Sequence, residues 1–284
     1  MSDIILHLPK EWTTEPVSKI GEVESKYRNI NIYVDCFITQ PVPDDEFRII
    51  IILEPFEHLK RSMINYFNDY PECYSYIFTY HQDIVDSFKN SMVSVFPNTW
   101  VSDYVNTGKE FSVSTVVGNK HLSKYLIGLE GYSVRWDLFN KKDQILMPTK
   151  FYLSSNSPIK GLDYSTNLVL KESKSPMFNS QFHIAIENTN KIDNAFSEKI
   201  IDCFQSKTVP IYYGPKNIGD FFNTDGIFMC NTVNEIIEVC NNLDNNIYEK
   251  LTAAIEDNYN ISMKYKSMPE TIVNNVKKIF SNNH

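Results

Sequence analysis

The 284-residue sequence lacks most of the short motifs that announce a particular chemistry. Its six histidines, His7, His58, His81, His121, His183 and His284, show neither H-E-x-x-H nor H-x-x-x-H spacing, which argues against a zinc site. It has no G-x-S-x-G elbow and no G-x-x-x-x-G-K-[ST] loop, so the commonest hydrolase and P-loop readings are removed. It has no D-x-D. The nearest acidic cluster, Asp44-Asp45-Glu46, lies in a Pro-bounded turn and reads as solvated, so a metal-dependent nucleotide site of that type lacks its ligands. The five cysteines, Cys36, Cys73, Cys203, Cys230 and Cys240, are odd in number, scattered and free of any C-x-x-C pair, a usage that suits a reducing compartment. No eighteen apolar residues run uninterrupted, and the start, MSDIILHLPKEW, has no basic region followed by a long apolar run. These absences predict a soluble, cytoplasmic protein without its own anchor. A net charge of −8 argues against general nucleic-acid or anionic-membrane binding and confines any phosphate site to a small local basic pocket.

What is present is an alternation of strand-like and helix-like segments in a chain long enough for two modest domains. Ile4–Leu8 and Ile30–Ile38 read as strands, and Phe47–Leu53, with four consecutive isoleucines, reads as a strand buried on both faces, as in a parallel sheet. The segment from His58 to Tyr70 places Leu59, Met63, Tyr66 and Phe67 on one helical face. Strands follow at Tyr74–Tyr80 and Met92–Phe96, with a short helix between them. The stretch from Pro97 to Lys109 has no clear periodicity and marks the boundary, giving expected domains of 1–105 and 106–284. A second series follows: a strand at Phe111–Val117, helical segments around His121–Leu129 and Tyr132–Ile145, and a strand at Phe151–Ser154 leading to a long loop. The sequence ends in amphipathic helices, including a capping-box start at Thr232-Val-Asn-Glu235 and a last helix over Pro269–Phe280.

The densest signal is FHIAIENTNKIDNAFSEKIIDCFQSKTVPIYYG, from Phe182 to Gly214. A strand ends in the polar run Glu187, Asn188 and Thr189. Ser197 can then cap a helix that buries Ile200, Ile201, Cys203 and Phe204, and an apolar run from Thr208 to Tyr213 closes a βαβ unit. Ligands of such units lie beyond the carboxyl ends of the strands, where helix N-termini favour phosphate. Lys199 in the first helical turn opposes the helix dipole, so an anionic ligand would explain it; it also reads as a solvated surface lysine, with Glu198 merely helping the helix start.

The same stretch resembles the signature of the α-1,3-fucosyltransferases, glycosyltransferase family ten. The matching positions are Phe182, Ala185, Glu187 and Asn188, then Ser197, Glu198 and Lys199, then Val209, Pro210, Ile211, Tyr212 and Gly214. Thr189 and Ser197 stand where the family has serine and threonine. Ala195 stands where it has a donor-contacting tyrosine.

The resemblance is strong from about Phe182 to Phe222 and only co-linear elsewhere. It implies a GT-B-like α/β fold, two Rossmann-like domains facing each other across a cleft with helices at the C-terminus. It also implies an inverting transfer of fucose from GDP-fucose to a hydroxyl of a glycan or glycoconjugate, with no obligatory metal or cofactor. On this view the second domain binds the nucleotide sugar. Lys199 neutralises the diphosphate, Glu198 bonds the ribose hydroxyls, and Glu187, Asn188 and Ser197 complete the donor side. Arg135, the only arginine after residue 61, stands where the family places a diphosphate-binding arginine; it reads equally well as a surface helix arginine. Glu54, just after the isoleucine strand, takes the place of the catalytic base, although it can also simply end a buried strand in water. Tyr80 and His81, after the next strand, are the acceptor-side candidates. Another GDP- or UDP-sugar as donor, and an inactive nucleotide- or glycan-binding module, remain as alternatives.

Overall fold

A computed structural model describes residues 1–10, 13–53, 60–105, 108–119, 129–155, 158–163, 167–170 and 173–281. The residues separate into two compact units, Met1–Phe96 with Ser267–His284, and Pro97–Lys266. Each unit is built on a six-stranded sheet.

In the first unit the strands are β1 (Ser2–His7), β2 (Val17–Val23), β3 (Asn29–Val34), β4 (Glu46–Ile52), β5 (Tyr76–Thr79) and β6 (Ser91–Val93), in the order β2-β1-β3-β4-β5-β6. All neighbours are parallel except the edge pair β1 and β2. The isoleucine run of β4 divides as a doubly covered strand must. Ile49 and Ile51 join Ile4, Ile30, Ile32 and Phe78 on one face, while Ile50 and Ile52 meet Met63 and Phe67 of helix α1 (Lys60–Asp69) and Ile84 of α2 (Gln82–Ser87) on the other. The strand expected to reach Ile38 stops at Val34. Asp35 adopts a left-handed φ of 46° and turns its carboxylate onto the backbone N–H of Leu53 at 2.9 Å, which ends the extended run.

The second unit contains β7 (Glu110–Val117), β8 (Thr149–Ser154), β9 (Leu168–Leu170), β10 (Ser180–Ile186), β11 (Val209–Tyr213) and β12 (Phe228–Met229). They form a wholly parallel sheet in the order β12-β11-β10-β7-β8-β9. Helices α3 (Gly131–Asn140) and α5 (Val233–Asn242) cover one face through Leu138, Ile236, Ile237 and Cys240, packed on Val113, Phe182, Ile184 and Ile211. Helix α4 (Glu198–Gln205) packs against β10 and β11, burying Ile200, Ile201, Cys203 and Phe204. Helices α6 (Ile247–Lys250) and α7 (Thr252–Ser262) follow. Thr232 caps α5 by accepting from the N–H of Glu235 at 3.2 Å. The Glu235 carboxylate returns to the N–H of Asn231 at 2.8 Å, one residue before the cap itself.

Two features differ from the sequence-based expectation. Strands β2 and β9 lie where the sequence suggests no element: β2 is largely exposed and polar and β9 has only three residues, so neither carries a strong alternation. The helical segment expected over His121–Leu129 falls mostly outside the described residues. The last helix, α8 (Met268–Ser281), was expected in the second domain, but Ile272 and Val276, both fully buried, pack into the β1–β3–β4 face of the first unit. A chain end can return to an earlier sheet, and amphipathic spacing says that a helix buries one face without saying against what.

Candidate functional site

The order of the second sheet contains a switch. The chain leaves β7 toward β8 and leaves β10 toward β11, in opposite directions, so β7 and β10 are neighbours whose following helices diverge. Crevices beyond the carboxyl ends of strands at such a point are the ligand sites of open α/β sheets. Here the end of β10 supplies Glu187 and Asn188, the start of α4 supplies Ser197, Glu198 and Lys199, and α3 supplies Arg135.

Backbone contact fixes α3 against this strand end. Gly131 donates its N–H to the carbonyl of Asn188 at 2.9 Å, and a Cβ built on Gly131 would lie 1.8 Å from the carbonyl oxygen of Glu187. Only a residue without a side chain lets the helix start this close. Four residues on, Arg135 donates through one Nη2 to the carbonyl of Ile186 and to Asn188 Oδ1 at 3.2 Å, with its guanidinium 4.9 Å from the Tyr132 ring centroid. Desolvation lowers the Arg135 pKa, with Tyr132, Glu187 and Glu198 opposing that change.

Glu187 is buried at 3% exposure, and both of its oxygens are occupied. Oε1 accepts from the backbone N–H of Ser197 at 2.9 Å and from the Tyr212 hydroxyl at 3.2 Å. Oε2 accepts from Ser197 Oγ at 2.7 Å and lies 3.3 Å from Lys199 Nζ. Gly214 is needed for this arrangement, since a Cβ there would come within 2.4 Å of the Tyr212 hydroxyl oxygen. Glu187 therefore braces the start of α4 from below, and Ser197 is the N-cap that the sequence predicts.

The Lys199 ammonium donates to Ser197 Oγ at 2.8 Å and forms ion pairs with Glu187 at 3.3 Å and Glu198 at 3.6 Å. Burial disfavours its charge, yet Glu187 and Glu198 hold its pKa above the ordinary lysine value. These carboxylates also answer the helix-dipole objection without any bound anion. Burial likewise pushes Glu198 up, but Lys199 and Lys174 outweigh it and bring the carboxyl down to about 2. Lys174 was not singled out in the sequence. It lies 3.2 Å from Glu198 and 3.3 Å from Asp202, and no motif marks it, since it stands just before the short 3₁₀ helix Ser175–Asn179 that leads into β10. The cluster thus sets Arg135, Lys174 and Lys199 against Glu187, Glu198 and Asp202. Ala195, at the position of the family's tyrosine, is half-buried, while Phe196 beside it turns inward onto Phe221, Phe222 and Tyr265.

The remaining candidates lie in the first unit. Glu54 is outside the described residues. Tyr80 and His81, at the end of β5, are 6% and 2% exposed, with ring centroids 4.5 Å apart. Among the described residues no group of three His, Cys, Asp or Glu side chains is placed to hold a metal ion, and no helix is long and apolar enough to cross a membrane. A shallow groove of about 250 Å³ lined by Phe228, Met229, Glu235 and Leu243 contains none of the cluster residues.

No protein-family model and no curated protein matches the sequence. Solved structures do match in fold. An α1,3-fucosyltransferase crystallised with GDP is 14% identical, with a TM-score of 0.51 over 87% of this chain and 76% of that one. The N-terminal domain of Candida albicans trehalose-6-phosphate phosphatase is 11% identical, with a TM-score of 0.52 over 89% and 70%. A mutant of S. aureus TarM in complex with fondaparinux, α-GlcNAc-glycerol and UDP is 13% identical, with a TM-score of 0.50 over 86% and 54%. At these identities the likeness is one of fold alone: the GT-B type, with two Rossmann-like α/β units.

Proposed function

We propose that this chain is an inverting glycosyltransferase that moves fucose from GDP-fucose to a hydroxyl of a glycan or glycoconjugate, without an obligatory metal. The observation that supports the reading is that two cations sit at the carboxyl end of β10, beside the switch point of a parallel sheet: Arg135 bonds Asn188 and Lys199, in the first turn of α4, pairs with Glu187, in a fold shared with an α1,3-fucosyltransferase. In this reading Arg135 and Lys199 stabilise the charge that builds on the departing diphosphate. The longest of the three Lys199 contacts, that to Glu198, is the one a phosphate oxygen replaces, freeing Glu198 for the ribose hydroxyls. Asn188 and Ser197 shape the donor side. Glu187 supports it through Ser197 and Lys199. Glu54 is assigned the base that takes the acceptor proton, with Tyr80 and His81 as acceptor-side residues.

The test is nucleotide titration followed by turnover. GDP and GDP-fucose should raise the unfolding temperature and bind with measurable heat, and Lys199→Ala and Arg135→Ala should each lower turnover by about 10²–10³-fold. Wild-type turnover in both variants would remove the assignment. Ala195 in place of a donor-contacting tyrosine favours a second reading, another nucleotide sugar as donor. Stabilisation by UDP but not GDP would select that reading. GDP binding without GDP release from donor and acceptor would instead mark an inactive module.

A further inference from the structure

This inference rests on the donor-site reading and concerns Lys174, whose surroundings are unusually fixed. Its ammonium bridges Glu198 and Asp202, which lie one turn apart on α4, at 3.2 and 3.3 Å. It also lies over the indole of Trp100, 4.2 Å from the ring centroid.

Asp202 is fully buried, and its second oxygen is taken: Oδ1 accepts from Thr99 Oγ1 at 2.9 Å and from the backbone N–H of Trp100 at 2.7 Å. The residues flanking Lys174 are tied as well. Ser173 Oγ and Ser175 Oγ donate to the two carboxylate oxygens of Asp103 at 2.7 and 2.6 Å. Segment 99–103 therefore grips the lysine at two levels, through its neighbours' hydroxyls and through the Asp202 carboxylate and Trp100 ring beside its head. A lysine side chain ordinarily gives up rotamer freedom to hold one geometry. Here that ordering is complete once the unit folds, as a binding site requires of its supporting residues.

We propose that Lys174 is the positioning residue of the donor site, holding the Glu198 carboxylate ionised and oriented toward the ribose hydroxyls of a nucleoside diphosphate. Lys199 cannot serve both ends of the ligand, because its contact to Glu198 is the longer, at 3.6 Å, and a diphosphate oxygen competes for the same ammonium. When that exchange occurs, a carboxylate without a second cation would face an incoming anion. Lys174 supplies the second cation, and it sits closer to the same Glu198 oxygen, Oε1, than Lys199 does, so Glu198 keeps its charge and its aim when Lys199 turns to the diphosphate.

The experiment measures ribose-hydroxyl discrimination by calorimetry, using GDP and 2′,3′-dideoxy-GDP on the full chain. The proteins are wild type, Lys174→Arg, Glu198→Gln and the double variant Lys174→Met/Asp202→Asn. The double variant removes the lysine without leaving a buried carboxylate unpaired, and the amide oxygen introduced by Asp202→Asn can still accept from Thr99 and Trp100. Wild type is expected to prefer GDP by about ten-fold or more, the scale of one charged hydrogen bond. The double variant and Glu198→Gln should lose that preference, with dideoxy-GDP affinity changed by less than about two-fold, and Lys174→Arg should keep it. Equal weakening of both ligands in the double variant would mean a merely structural role and overturn the proposal, as would an undiminished preference. Wild-type protein that binds GDP without preferring it to the dideoxy analogue overturns it too. Wild-type protein that binds neither nucleotide removes the donor-site reading itself.

Discussion

Replacing Gly131 by alanine tests the backbone geometry on which the candidate site depends. The added Cβ would lie 1.8 Å from the carbonyl oxygen of Glu187 and 2.9 Å from its carbonyl carbon, whereas ordinary contacts begin at 3.4 Å. Both obstacles are backbone at the end of a central strand, so no rotamer change relieves them, and the start of α3 must retreat by roughly 1.5 Å in a close-packed interior. That retreat breaks the Gly131 N–H bond to Asn188 and draws Arg135, one turn later, away from Ile186 and Asn188. Overpacking of this kind costs about 1–3 kcal/mol and the lost hydrogen bond about 1 kcal/mol. Alanine's advantage over glycine in a helix returns at most about 1 kcal/mol. The net is about 1–3 kcal/mol, which for a unit of this size lowers the unfolding temperature by about 2–12 °C. Calorimetric unfolding with and without GDP is the assay: the variant should melt early and bind the nucleotide more weakly, because Arg135 has moved. A variant that melts within about 1 °C of wild type and binds GDP normally would refute the close approach of α3 to β10 and the role built on it.

Three further outcomes follow from other parts of the molecule. Ile272→Ala should cost about 2–5 kcal/mol and lower hydrogen-exchange protection in β1 and β3 while leaving β10 and β11 unchanged, since Ile272 is fully buried in the first unit; equal losses in both units would contradict the placement of α8. Glu187→Gln should destabilise the second unit by about 2–4 kcal/mol in urea, because it removes the buried charge beside Lys199 and turns an amide N–H₂ toward donors. Its stabilisation by saturating GDP should exceed that of wild type if Lys199 is the phosphate ligand. Stability should also fall in acid. Glu198 is held at about 2, below its ordinary 4.5, so its contribution is present above about 4.5 and is lost as pH falls through about 2. Glu198→Gln should flatten the unfolding profile in that window, and an unchanged slope would count against the Lys174–Glu198–Lys199 arrangement.

Local pattern alone determined a good part of this protein. Four consecutive isoleucines can only be satisfied by burial on two faces, and β4 is so buried; the alternation of strands and helices pointed to sheets that are parallel but for the β1–β2 edge pair; and Ser197 announced the cap of α4 because a hydroxyl at that position meets an unpaired N–H whatever the rest of the chain does. Tertiary structure decided what those elements meet. The amphipathic stripe of α8 did not reveal that its partner was the first sheet, at the opposite end of the chain. Nor did the sequence reveal that Glu187 turns inward to brace Ser197, Tyr212 and Lys199, or that Lys174 bridges Glu198 and Asp202. Such contacts join residues separated along the chain, through side-chain directions that only a completed sheet fixes, and no local periodicity carries that information.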